Sequence, residues 1–89
     1  MNNKYLIEEV IEHNSKNKNI VCCIEEMSEL TKVLTKKLRM SPKFNRDILT
    51  EEIGHVLLMC SVIANEYDIS EEEIYNIQQD AVRRMKEDK

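Results

Sequence analysis

The chain has one glycine, one proline and no tryptophan among its 89 residues, and its aromatic content is 4%. So little turn chemistry argues against a sheet protein, because hairpins and meanders draw on Gly and Pro at nearly every reversal. A surplus of positive charge is also missing: 17 acidic side chains stand against 13 basic ones, for a net charge of −4 and a pI near 5.2. That balance disfavours a nucleic-acid binder working through a basic face. It leaves phosphate ligands open, provided a divalent cation stands between the negative groups. No apolar run is long enough to cross a bilayer, since the longest, Ile53–Ala64, is interrupted by His55 and Ser61. Met1–Glu9 is polar and lacks the apolar stretch of a secretory leader. Cys22, Cys23 and Cys60 are odd in number and show no C-x-x-C spacing. They are expected to be reduced, buried thiols in a cytoplasmic protein with neither nucleic acid nor membrane as partner.

Abundant instead are Leu, Ile, Met, Glu and Lys, all strong helix formers. The apolar content of 42% is ample for a folded chain. The length fits one domain, 1–89. Such a domain buries only roughly 60–65% of its unfolded surface, so its core is thin and oligomerisation is a natural completion. The pattern predicts an all-α fold of four helices, the middle two long. Helix one covers about Lys4 to His13, with Tyr5, Leu6, Val10 and Ile11 as its apolar stripe. The polar stretch Asn14–Asn19 is expected to break the chain and cap helix two, which spans about Asn19 to Arg39. On helix two, Ile20, Ile24, Met27, Leu30, Leu34 and Leu38 follow the spacing of a single face. Ser41-Pro42 ends it, and Ser41 is expected to cap the next helix. Helix three spans about Asp47 to Tyr67. Helix four starts near Glu71 behind a Ser70/Glu73 capping box, with Ile74, Ile77, Ala81 and Met85 inward.

Two stretches hold the residues capable of chemistry. In "IEEMSELTKVL", Glu25, Glu26 and Glu29 fall within an arc of roughly 100°, opposite Ile20, Ile24, Met27 and Leu34. A solvated charged face would account for them. Yet three carboxylates this close repel one another without a cation, and Cys22 and Val33 share their side. In "LTEEIGHVLLMC", apolar residues cover nearly the whole circumference, which predicts a helix buried on most sides. Glu52 and His55, one turn apart, project from that rod. A Glu–His pair satisfied by hydrogen bonds at the end of the core is the plain explanation. The alternative is a metal, because ionised groups in apolar surroundings are costly unless paired or metal-bound. Gly54, the only glycine, costs about 1 kcal/mol against Ala in mid-helix. Close helix packing, the approach of a ligand or chance would explain it. On antiparallel helices, Glu26-x-x-Glu29 and Glu52-x-x-His55 make a four-pronged, oxygen-rich cation site suited to Mg²⁺ or Mn²⁺.

"EEMSE" (E-E-x-x-E) followed by "EEIGH" resembles the signature of the MazG-like all-α nucleoside triphosphate pyrophosphohydrolases, whose second motif is E-x-x-D. The likeness runs from about Asn19 to Met59 and is closest to the short, single-domain members of phages and Gram-positive bacteria. It implies two long central antiparallel helices, completed as a homodimer or homotetramer of helical bundles with the site shared across subunits. It implies hydrolysis of an NTP or dNTP to the monophosphate and pyrophosphate. By the same resemblance Glu26, Glu29 and Glu52 would hold Mg²⁺ (or Mn²⁺), with His55 at the last ligand position. Glu25 would be the outer, catalytic carboxylate that orients or deprotonates the attacking water. Two departures stand out. His55 replaces the family's Asp, which removes a negative charge and a hard oxygen ligand. The last helix, where short members carry spaced Lys and Arg, reads Asn76, Gln78 and Gln79 before Arg83 and Arg84. Those two arginines are the substrate-binding candidates, and solvated charges at a helix C-terminus explain them equally well.

Two other readings fit the residues. One is a helical oligomeric interaction protein with the same fold and a weakened site. The other is a di-iron carboxylate bundle, built across a dimer from two copies of Glu52-x-x-His55 with Glu26 or Glu29.

Overall fold

The computed structural model describes residues 3–88, which form four helices and, among the described residues, no strand. Helix α1 (Lys4–His13) ends where Asn14 turns extended, and Ser15 caps α2 (Lys16–Leu38) by accepting the Lys18 N–H at 3.1 Å. That cap draws Lys16–Lys18 into the helix, so α2 begins ahead of the expected Asn19. At the far end Met40 adopts a left-handed φ of 56°. Ser41 N–H then bonds Lys36 O at 3.0 Å and Met40 N–H bonds Lys37 O at 3.1 Å, the paired closure of a Schellman motif.

Asn45, not Ser41, caps α3 (Arg46–Glu66), its Oδ1 accepting from Asp47 N–H at 2.7 Å and Ile48 N–H at 3.2 Å. Ser41 instead accepts the Lys43 N–H at 3.1 Å inside the turn. Asp68, also at φ 56°, closes α3 the same way, with Ile69 N–H on Ala64 O at 2.8 Å. The expected capping box opens α4 (Glu71–Glu87): Ser70 Oγ accepts the Glu73 N–H at 3.1 Å, and Glu73 Oε2 accepts the Ser70 N–H at 2.8 Å.

Helices α2 and α3 pack antiparallel as the central layer, and α1 packs on α3. The core is Cys23, Met59 and Val62, enclosed by Ile7, Val10, Ile11, Cys22, Leu58 and Ile63. Asn19 is fully buried at one end of the pair. Its Oδ1 accepts from Asn14 at 3.1 Å and its Nδ2 donates to Glu66 Oε1 at 3.0 Å, so its burial is compensated and it fixes α2 against the end of α3.

The inward face of α2 differs from the expected one. Asn19, Cys23, Glu26, Leu30 and Val33 turn toward α3. Of the expected stripe Ile20 and Leu30 are half-buried, whereas Ile24, Met27, Leu34 and Leu38, roughly 100° around the helix from the inward face, are exposed. Ile24 is 54% exposed and Leu38 84%. Helix α3 is likewise not buried on most sides, since Ile53 and Leu57 are exposed. On α4, Ile74, Ile77 and Met85 are open to solvent rather than inward. Of the three cysteines only Cys23 is buried; Cys22 is half-buried and Cys60 exposed. One cause covers the last three corrections. Helical periodicity identifies apolar faces, but a single chain of this size has too few helices to cover them all. Among the described residues, no helix is long and apolar enough to cross a membrane.

Candidate functional site

Antiparallel pairing sets Glu26 of α2 opposite Glu52 and His55 of α3. His55 Nδ1 lies 2.6 Å from Glu26 Oε2 and 3.4 Å from Glu52 Oε1. Burial is graded across the three: the Glu52 side chain is 14% exposed, Glu26 28% and His55 50%. Glu52 is the deepest of the three and His55, one turn on, the most open. One of the Glu52 oxygens, Oε2, is buried without a hydrogen-bond partner. A carboxylate oxygen in that state costs on the order of 1–3 kcal/mol unless something positive meets it.

Each of Glu26, Glu52 and His55 offers one ligand atom, and the three atoms lie within 4.8 Å of one another. An octahedral ion with bonds of about 2.1 Å sets neighbouring ligands about 3 Å apart. Small side-chain rotations therefore suffice to close the set. Two carboxylates and an imidazole leave positions free for water or phosphate oxygen, the open arrangement a working cation needs. Beside the cluster, Cys22, Glu25, Glu26, His55, Leu58 and Met59 line an open cavity of about 230 Å³. Its outer rim carries the exposed Glu25 and its floor is apolar.

The structure thus joins Glu26, Glu52 and His55, with Glu25 on the adjoining rim. Glu29 is not in the cluster. It lies one turn along α2, 53% exposed, and pairs with Lys32 at 3.2 Å. The i,i+3 spacing in "ELTK" is the sequence signal for that pairing. Arg83 and Arg84 are on α4 and engage acids of their own helix: Arg83 bonds Asp80 and reaches Glu87 at 3.5 Å, and Arg84 Nε meets Asp80 at 3.2 Å. The periodicity of Cys22, Leu58 and Met59 marks them only as apolar filler, and nothing in it identifies them as cavity walls. An added Cβ at Gly54 would meet nothing within 4 Å, so packing inside the single chain does not require this glycine.

Fold and site define an all-α chain whose central helix pair is bridged by a carboxylate–imidazole cluster. Compared with family models, curated proteins and solved structures, the chain matches none.

Proposed function

We propose that the chain is a MazG-like nucleoside triphosphate pyrophosphohydrolase, converting a (deoxy)nucleoside triphosphate and water to the monophosphate and pyrophosphate. The observation that carries this reading is the convergence of Glu26 with Glu52 and His55, from motifs far apart in sequence, around a buried oxygen without a partner. The donor set fits Mg²⁺ or Mn²⁺, which when bound would neutralise phosphate charge and make pyrophosphate a better leaving group. Glu26, Glu52 and His55 would hold it, and Glu29 would join on release from Lys32.

Glu25 stands on the rim outside the cluster, where its carboxylate can orient a water and accept its proton. Arg83 and Arg84 would meet phosphate only by exchanging Asp80 for it. The exposed stripe of α2, together with Ile77 and Met85 of α4, is what a second copy would cover in a homodimer or homotetramer.

The test is a pyrophosphate-release screen over the common NTPs and dNTPs, with Mg²⁺ and with Mn²⁺. Metal-dependent formation of monophosphate and pyrophosphate is expected, and Glu26→Gln should abolish it while leaving the helical circular-dichroism signal intact. Diphosphate and inorganic phosphate as products would overturn the mechanism. No turnover with any nucleotide would favour a helical interaction protein on the same fold. Iron at roughly two per dimer would favour the di-iron bundle.

A further inference from the structure

The register of the central pair is fixed by two contacts. Asn19 bonds Glu66, and about two turns further along α2 Glu26 meets His55. Ascending α2 from 19 to 26 therefore means descending α3 from 66 to 55, and Cys23 comes level with Cys60. Cys23 packs on Met59, the neighbour of Cys60 in the chain, and the Cys60 thiol is close enough to act on that of Cys23. Their surroundings differ. Cys23 is 8% exposed, whereas Cys60 opens onto a cleft of about 360 Å³ that it lines with Leu57, Ser61, Glu71, Ile74 and Gln78. Cys22 lies on the other flank of α2, in the wall of the cavity beside Glu26 and His55.

We propose that Cys23 and Cys60 form a redox modification site, a dithiol that a hydroperoxide oxidises to an intrachain disulfide across the α2–α3 seam. The exposed Cys60 reacts first. Its sulfur attacks the peroxide oxygen, the O–O bond breaks, and the thiol proton leaves with the alcohol or water formed. Cys60 is then a sulfenic acid. Cys23 attacks that sulfur, the S–O bond breaks, and the Cys23 proton departs with the hydroxyl as water. Two thiols and one peroxide thus give one disulfide, with the peroxide as the species reduced.

Burial first, and then the neighbouring Cys60, push the Cys23 thiol above its ordinary range. It therefore stays protonated and unreactive toward the peroxide, which leaves the exposed Cys60 to react first. The bridge would tie α2 to α3 one helical turn from Glu26. It would close the loop between the two helices in the unfolded chain and raise the melting temperature, on the order of 10 °C.

The experiment treats the native protein with stoichiometric hydrogen peroxide, alkylates the remaining thiols and maps the digest by mass spectrometry. The expected product is a Cys23–Cys60 linked peptide pair, lighter by two hydrogens, reversed by a dithiol reductant and accompanied by the higher melting temperature. Cys22→Ser should behave the same way. Cys60→Ser, at an exposed position that the fold does not need, should give no bridge. Linkage of Cys60 to Cys22 or to a second chain would overturn the proposal. So would Cys60 passing to sulfinic acid while Cys23 remains free. None of these readouts depends on catalysis, so the result stands whether or not the chain hydrolyses nucleotides.

Discussion

Replacing Glu52 by Gln tests the cluster at its deepest point. The Glu52 side chain is 14% exposed and one of its oxygens has no hydrogen-bond partner. Removing its charge at nearly constant shape relieves a desolvation cost, so Glu52→Gln should be as stable as the wild type or more stable by about 1 kcal/mol. Adding the cation should reverse that order. A ligand at a hundred times its Kd stabilises the native state by about 2.7 kcal/mol. For a domain of this size each kcal/mol moves the melting temperature about 4–8 °C. The wild type should therefore gain roughly 10–20 °C in saturating Mn²⁺ or Mg²⁺, and the variant only a small fraction of it. Calorimetric or circular-dichroism melts in chelator and in each metal measure both differences. A wild-type melt indifferent to either ion, together with a Glu52→Gln variant destabilised in chelator, would refute the reasoning. It would make Glu52 and His55 a structural pair at the end of the core.

Gly54→Ala should stabilise the helix by about 1 kcal/mol, because the new methyl meets nothing within 4 Å. Lower stability or lost association in that variant would show that a partner or ligand packs there. Sedimentation at micromolar concentration should give a dimer or tetramer, and paired Ile24→Lys and Leu34→Lys substitutions on the outward stripe of α2 should yield monomers. A stable, folded wild-type monomer would defeat this expectation. Hydrogen bonds from the Ser70 backbone and then its side chain hold Glu73 below its ordinary carboxylate range. Since its value is lower folded than unfolded, the capping box contributes stability above the unfolded value and loses it as pH falls through the folded one. Amide exchange in the first turn of α4 should accelerate in that acid window, and Glu73→Gln should abolish the dependence.

Local structure was more legible than packing. The Ser70/Glu73 box, the end of α1 and the break around Asp68 came directly from short-range chemistry, which acts between neighbours in sequence. The inward face of α2 did not. Two stripes compete for it, Ile20/Ile24/Leu34/Leu38 and Asn19/Cys23/Glu26/Val33, and hydrophobicity alone favours the first. The second faces α3, where Asn19 bonds Glu66, a contact 47 residues along the chain that no periodicity encodes. The same rotation brings Glu26 into the seam and leaves Glu29 outside with Lys32. The cluster was thus legible as motifs, whereas which carboxylates converge depended on a buried asparagine about two helical turns from the site.

His55→Asp separates the two roles open to the imidazole. Nδ1 now stands 2.6 Å from Glu26 and 3.4 Å from Glu52, with the side chain half exposed. An aspartate there is shorter, negative and flanked by two carboxylates. Like charges about 4 Å apart repel by about 4 kcal/mol at an effective dielectric of 20, and screening at a half-exposed position reduces that to about 1–2 kcal/mol. In chelator the variant should melt lower by roughly 5–15 °C. If the cluster holds a cation, the change also supplies a third hard oxygen. Imidazole nitrogen suits Mn²⁺ better than Mg²⁺, so wild type should prefer Mn²⁺ and the variant should shift toward Mg²⁺. Mg²⁺ should then restore more stability to the variant than to wild type and raise its Mg²⁺-dependent pyrophosphate release. If His55 serves only to pair with Glu26 and Glu52, the chelator penalty remains and neither ion repairs it. A variant that is destabilised and indifferent to Mg²⁺ would therefore remove His55 from the ligand set, whatever the melts of Glu52→Gln had shown.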